Sequence, residues 1–112
     1  MSDDDTTSDT TTPIPDSAAT PTPPTTPMPL APLGRTGPFV SRLALGTMTF
    51  GVETDESEAF GQLDAFVRAG GTFVDTADVY GAGASERIIG RWLADRRPSD
   101  VVLATKGRFD PP

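Results

Sequence analysis

The fold is decided by residues 72–106, which read TFVDTADVYGAGASERIIGRWLADRRPSDVVLATK. A short apolar strand over residues 72–75 is followed by a loop, and then by a helix whose apolar residues recur at helical spacing. The run over residues 101–104 is continuously apolar, which is typical of a parallel strand covered on both faces. This order predicts a parallel βαβ unit.

The residues before this stretch extend the same alternation. The turn residues between Gly34 and Pro38 predict a small hairpin, and residues 43–45 predict a short strand that runs into Gly46. A helix is expected next, because Asp55 and Glu58 have the spacing of a capping box. Its predicted apolar face consists of Ala59, Phe60, Leu63, Phe66 and Val67, and it stops at Gly70 and Gly71.

The second helix is predicted to begin near Ser85, which we expect to cap it, and to end before Pro98. Its predicted apolar face consists of Ile88, Ile89, Trp92 and Leu93. Strands and helices that alternate with short connections indicate an α/β fold with a parallel sheet. A (β/α)8 barrel and a doubly wound sheet both remain compatible with this order.

Composition divides the 112 residues into two parts and excludes several classes of function. Residues 1–29 hold five acidic residues, no basic one and seven of the twelve prolines, so we expect a disordered leader followed by one domain over residues 30–112. The net charge of −7 argues against nucleic acid as a partner. The absence of Cys and His argues against disulfides and the usual zinc sites. Without a signal-peptide pattern or a long apolar run, the expected location is the cytoplasm, with no membrane partner.

Polar residues collect where the predicted parallel strands end. In such folds the chemistry lies beyond the carboxyl ends of the strands. The first strand ends in residues 46–48, the second in Asp75 with Tyr80 in the following loop, and the third near Lys106. We therefore expect a carboxylate, a phenol and an ammonium to meet at one edge. Asp78 is close in sequence and is an alternative to Asp75.

These three residue types suit the reduction of a carbonyl. A tyrosine with an ordinary pKa of about 10 is a weak acid near neutral pH. An ammonium beside it stabilises the phenolate, and a carboxylate beside the ammonium fixes its position. The tyrosine could then protonate a carbonyl oxygen, whereas the hydride would have to come from a nicotinamide cofactor. Each residue alone is also compatible with a structural role, as a turn, packing or solvated side chain.

Three segments together resemble the aldo/keto reductase family, in sequence and in order. They are LGRTGPFVSRLALGTMTFG, GGTFVDTADVYGAGASERIIGRWL and VVLATKGRF, within residues 30–109. The most specific part is DTADVYG, which continues at Gly81 into GxxxSExxIG, ending at Gly90. Within the family, the sequence resembles the bacterial branch akin to potassium-channel β-subunits.

The resemblance implies the N-terminal part of a (β/α)8 barrel that reduces aldehydes and ketones with NADPH, or with NADH. It implies three catalytic residues: Tyr80 as the general acid, and Lys106 and Asp75 as the residues that assist it. It also implies that the cofactor contacts Asp75 and a second group of residues in the loop after the first strand of the parallel sheet. That group is Gly46, Thr47 and Met48. It implies no metal.

The sequence departs from the family in length and in one catalytic position. The family's catalytic His follows the next strand, and this chain contains no His. A barrel of this type needs about 250 residues, so we interpret the chain as a fragment that is inactive alone. Two alternatives are a non-catalytic truncated remnant and one half of a split barrel completed by another chain.

Overall fold

The computed structural model describes residues 28–108 of the chain. Of the predicted leader, therefore, only Met28 and Pro29 fall within the described residues, and the prediction of disorder lies outside them. The elements in chain order are β1 (Leu30–Pro32), β2 (Phe39–Ser41), β3 (Ala44–Gly46), α1 (Glu56–Arg68), β4 (Phe73–Asp75), a 3-10 turn (Tyr80–Gly83), α2 (Ala84–Arg96) and β5 (Val102–Ala104).

The predicted hairpin is confirmed. Strands β1 and β2 pair antiparallel, with Leu30 opposite Ser41 and Pro32 opposite Phe39. The connecting turn is closed by the Leu33 amide, which donates to the Pro38 carbonyl at 2.8 Å. A buried hydroxyl pair ties this hairpin to the start of β4, because the Thr72 amide donates to Ser41 Oγ at 3.0 Å and the Ser41 amide donates to Thr72 Oγ1 at 2.8 Å.

The predicted parallel sheet is also confirmed. Its strands lie in the order β3–β4–β5, and α1 and α2 connect them. The register places Gly46 beside Asp75 and Asp75 beside Ala104, so the three strands end at one level. This alignment brings the loops that follow the strands together at a single edge.

Helix α1 begins as the sequence predicts. The Glu58 amide donates to Asp55 Oδ1 at 2.9 Å, and the Asp55 amide donates to Glu58 Oε1 at 3.3 Å, which completes the capping box. The apolar faces of α1 and α2 then pack together against the sheet. The buried core consists of Phe50, Ala59, Leu63, Val74, Ile88, Ile89 and Trp92, and the other predicted face residues (Phe60, Phe66, Val67 and Leu93) pack against it half-buried.

A polar contact links the two helices beside this core. The Trp92 ring is buried, and its Nε1–H donates to Asp64 Oδ1 at 2.8 Å. Arg96 binds the same carboxylate through Nε and Nη2, at 3.1 and 2.9 Å. Hydrogen bonds from Arg96 and then Trp92 lower the pKa of Asp64 below its ordinary value of 3.8. None of the helices in this part of the chain is long and apolar enough to cross a membrane.

Two predictions about local structure are wrong. Ser85 does not cap α2: the cap position is Gly83, with a left-handed φ of 95°, and Ser85 is a buried residue of the first helical turn. The second error concerns the strand at residues 101–104, which is not covered on both faces. Within residues 28–108, Leu103 is 39% exposed, because no element described there packs over its face of β5.

Candidate active site

Asp75 and Lys106 meet at the common edge of the parallel strands. Asp75 is the last residue of β4, and Lys106 lies two residues beyond the end of β5. Lys106 Nζ donates to Asp75 Oδ1 at 3.0 Å, to Asp75 Oδ2 at 3.2 Å and to the Thr76 carbonyl at 2.8 Å. The ammonium therefore has three oxygen acceptors, which suits its three N–H donors.

This ion pair is open on the described part of the chain, with 52% of the Lys106 side chain and 42% of the Asp75 side chain exposed. Hydrogen bonding to Asp75, followed by a contribution from Tyr80, raises the pKa of Lys106 above its ordinary value of 10.5. Lys106 therefore carries a full positive charge across the physiological range.

Tyr80 lies beside the same ammonium. Lys106 Nζ is 5.1 Å from the centroid of the Tyr80 ring, within the range of a cation–π contact. The loop before Tyr80 is tied to the neighbouring strand end, because the Thr76 amide donates to the Ala104 carbonyl at 2.8 Å. The sequence predicts a plain loop here, whereas the structure has a 3-10 turn over Tyr80–Gly83 with Gly81 and Ala82 in the left-handed region.

The two candidate carboxylates have different positions. The ammonium of Lys106 binds the side chain of Asp75, whereas Asp78 is exposed and meets Lys106 through the backbone, its amide donating to the Lys106 carbonyl at 3.0 Å. Of the two, Asp75 is the residue placed to hold the ammonium.

The predicted cofactor-binding residues Gly46, Thr47 and Met48 differ in their exposure at this edge of the sheet. Gly46 is exposed and aligned with Asp75, and a Cβ added to Gly46 would meet nothing within 4 Å. Met48 is 67% exposed. The Thr47 side chain, by contrast, is fully buried, and its hydroxyl donates to the Asp75 carbonyl at 3.0 Å. The whole Thr47 residue is buried, and its carbonyl accepts from the Phe50 amide at 3.0 Å, so the structure places Thr47 behind the edge rather than at its surface.

Two features of this region have no counterpart in the sequence prediction. A cluster of buried hydroxyls lies behind Asp75 and includes Thr47, Thr76 and Ser85. On the outer side, Thr105 Oγ1 donates to Glu86 Oε2 at 2.6 Å, which ties the residue before Lys106 to the first turn of α2. Ser and Thr are common in ordinary turns, so the sequence alone does not show that these hydroxyls form a buried cluster.

The edge is suited to acid catalysis. A phenol, an ammonium and a carboxylate lie together there, and this set can stabilise negative charge that develops on a bound carbonyl oxygen. Within residues 28–108, no group of acidic side chains is arranged to hold a metal ion.

The sequence profile of the aldo/keto reductase family matches residues 42–112. The chain belongs to the aldo/keto reductase family. This confirms the resemblance inferred from the three segments. Among the family's named members, the chain is 55% identical over 80 residues to the uncharacterized oxidoreductase YrpG of Bacillus subtilis, a match that covers 66% of the chain and 24% of that protein.

One further sequence and one solved structure are also similar to the chain. The chain is 44% identical over 79 residues to the aryl-alcohol dehydrogenase [NADP(+)] of Phanerodontia chrysosporium, which covers 62% of the chain and 20% of that enzyme. The structure is similar to that of aldo-keto reductase AKR11C1 from Bacillus halodurans in its holo form, with a TM-score of 0.64 and 39% identity. That match covers 74% of the chain and 28% of the solved structure.

These matches decide between the two folds compatible with the sequence. The described elements form the N-terminal part of a (β/α)8 barrel, and the doubly wound alternative is excluded. The chain spans about a quarter of the length of the relatives it matches.

Proposed function

We propose that the whole protein carrying this chain reduces aldehydes or ketones to alcohols with a nicotinamide cofactor, and that Tyr80 is the general acid. The observation that carries the proposal is the Lys106 ammonium, which binds the Asp75 carboxylate at 3.0 Å and lies 5.1 Å from the Tyr80 ring centroid. Family membership supports oxidoreductase chemistry on a small carbonyl substrate.

In this mechanism the Tyr80 hydroxyl gives its proton to the carbonyl oxygen as negative charge develops there. Lys106 stabilises the phenolate left on Tyr80, and Asp75 holds the ammonium in place. A bound nicotinamide would supply the hydride to the carbonyl carbon.

The residues at the edge fit a nicotinamide cofactor. Gly46 presents bare backbone beside Asp75 and leaves open space where a side chain would stand, so a flat ring can approach closely. Met48 adds an exposed apolar side chain, whereas Thr47 is buried and supports the Asp75 backbone through its hydroxyl. We assign cofactor contact to Gly46, Met48 and Asp75, and a supporting position behind them to Thr47, with NADPH as the cofactor and NADH as the alternative. The relative named as an NADP(+)-dependent aryl-alcohol dehydrogenase supports NADPH.

The reductase proposal is tested on the whole protein, expressed from its complete gene. NADPH and NADH consumption is followed with a panel of aromatic and aliphatic aldehydes and ketones. We expect turnover with at least one carbonyl, a preference for NADPH, and a loss of about 10²-fold or more in kcat for Lys106→Met. Arg35→Met removes the same charge from the exposed hairpin turn and should leave kcat unchanged. Equal activity of both variants would contradict the role of Lys106.

A second candidate function is that of a non-catalytic protein or of one part of a two-chain enzyme, and the two candidates differ in the size of the gene product. The chain covers 24% of YrpG, and within residues 28–108 strand β5 pairs only with β4; a non-catalytic remnant or half of a split barrel would also carry these residues. Intact-mass measurement of the native protein distinguishes the two. We expect a species several-fold heavier than 11.7 kDa that contains these peptides, in keeping with a fragment that is inactive alone. A stable species near 11.7 kDa would favour the remnant or the split barrel instead.

A further inference from the structure

Three hydroxyl side chains form a connected chain behind the Asp75–Lys106 pair. Thr47 follows β3, Thr76 follows β4, and Ser85 lies in the first turn of α2; each is fully buried. Thr76 Oγ1 is 2.8 Å from Ser85 Oγ, and Ser85 Oγ is 2.9 Å from Thr47 Oγ1. Thr47 Oγ1 is in turn 3.0 Å from the Asp75 carbonyl oxygen.

Counting protons fixes the direction of every bond in this chain. Each hydroxyl has one proton to donate. The Asp75 carbonyl can only accept a hydrogen bond, so the Thr47 hydroxyl donates its proton to that carbonyl. Ser85 must then donate toward Thr47, either to Oγ1 at 2.9 Å or to the Thr47 carbonyl at 3.2 Å, and Thr76 must donate to Ser85. Ser85 is thus the central member, because it accepts from one strand end and donates to the other.

Both ends of this chain lead to the acceptors of the Lys106 ammonium. One end is the Asp75 backbone, whose side chain binds Nζ at 3.0 Å. The other end is Thr76, whose carbonyl binds Nζ at 2.8 Å. The hydroxyl chain therefore fixes the backbone of the two residues that hold the ammonium, while α2 serves as the common anchor.

We propose that Ser85 is a positioning residue for the candidate active site: through Thr47 and Thr76 it holds the Asp75 carboxylate and the Thr76 carbonyl where they place the Lys106 ammonium beside Tyr80. The catalytic part of this proposal rests on the proposed reductase function. A fully satisfied network of buried hydroxyls is rigid, whereas a network that loses its central member leaves two buried hydroxyls short of a partner. An alanine at this buried position would pack without providing that link.

The chain offers a matched control at the opposite end of the sheet. Ser41 is also buried, and its hydroxyl accepts from the Thr72 amide at 3.0 Å and donates to the Leu43 carbonyl at 2.7 Å. Ser41 joins the hairpin to the start of β4 and makes no contact with the Asp75–Lys106 pair. Ser41→Ala and Ser85→Ala thus remove comparable buried hydroxyls, of which only the second lies behind the candidate site.

The first test measures catalysis in the whole protein, with variants that remain folded by circular dichroism. We expect both alanine variants to lower Tm, and only Ser85→Ala to lower kcat, by about tenfold or more. Ser85→Ala and Thr76→Val should be strongly non-additive in kcat, because they interrupt one chain, whereas Ser41→Ala and Ser85→Ala should be additive. An equal loss of kcat in Ser41→Ala and Ser85→Ala would overturn the proposal.

The second test needs no catalysis and separates this proposal from the reductase proposal. The titration of Lys106 Nζ is followed by NMR, with the signal assigned by its loss in Lys106→Arg. In the unaltered protein and in Ser41→Ala we expect Lys106 to titrate above 10.5, and in Ser85→Ala to return toward that value as its acceptors shift. If Lys106 titrates alike in all three proteins, the positioning role is wrong. A protein that reduces no carbonyl but shows the Ser85→Ala shift would refute the reductase function and retain the positioning role.

Discussion

Lys106 Nζ lies 3.0 Å from Asp75 Oδ1 although the two residues are 31 positions apart in sequence. The parallel register explains the contact, because Asp75 pairs with Ala104 and the loop after β5 starts at the same level. The ion pair is thus a direct product of the βαβ topology, and it places a fixed positive charge beside Tyr80.

The first prediction concerns how this pair depends on pH. Because Asp75 raises the pKa of Lys106 in the folded protein, its contribution to stability is present in full below the unfolded value of about 10.5 and is lost as pH rises through the folded value. Asp75→Asn should therefore lower the urea midpoint at neutral pH, with a difference that shrinks above about pH 10.5. The effect should be small, because both side chains are about half exposed to solvent.

Asp78→Asn provides the control for that experiment. It removes the same charge from an exposed residue that meets Lys106 through the backbone only. Its urea midpoint should follow that of the unaltered protein at every pH. If the Asp75→Asn difference persists unchanged at high pH, the stabilisation does not come from the Lys106 ammonium.

The second prediction concerns the contact between Trp92 and Asp64. Asp64→Ala leaves the buried indole N–H without its acceptor, which should cost about 1–3 kcal/mol of unfolding free energy. Glu56→Ala removes an exposed carboxylate that binds Arg91 and should change stability little. Urea unfolding of both variants checks this, and equal losses would contradict it.

The same contact predicts a loss of stability in acid. Because Arg96 and Trp92 lower the pKa of Asp64 in the folded protein, its stabilising contribution is present above the unfolded value of about 3.8 and is lost as pH falls through the lower folded value. The stability difference between the unaltered protein and Asp64→Ala should therefore narrow below about pH 3.8. A difference that is constant down to strong acid would show that the charge on Asp64 plays no part.

The third prediction compares two glycines that differ in their surroundings. Gly61 lies inside α1, and an added Cβ would meet nothing within 4 Å, so Gly61→Ala should stabilise the protein by up to about 1 kcal/mol. Gly51 has a φ of +84°, and an added Cβ would overlap the Cβ of Ala84, so Gly51→Ala should destabilise it. Thermal unfolding should move Tm in opposite directions, and a shift in the same direction would contradict the packing described.

Much of the fold was predictable because its signals are local. The capping box of Asp55 and Glu58, the spacing of the apolar face from Ala59 to Val67, and the turn between β1 and β2 each lie within one element. The convergence of Asp75 and Lys106 also followed, since parallel strands bring their carboxyl ends together.

The remaining features depend on contacts between segments far apart in sequence. Ser85 is of a residue type that often caps helices, but Gly83 occupies the cap position of α2. The Ser85 hydroxyl instead binds Thr47, which is 38 residues away in sequence. The exposure of Leu103 likewise depends on what packs against β5 and not on the apolar run itself. No local pattern contains this information.

The measurement that tests the central claim most directly is carbonyl reduction by Tyr80→Phe in the whole protein, with cofactor binding followed in parallel. The substitution keeps the ring beside Lys106 and removes the hydroxyl group that would donate the proton. We predict a loss of about 10²–10⁴-fold in kcat, with the Kd for NADPH nearly unchanged. Turnover by Tyr80→Phe at the rate of the unaltered protein would contradict the assignment of Tyr80 as the general acid.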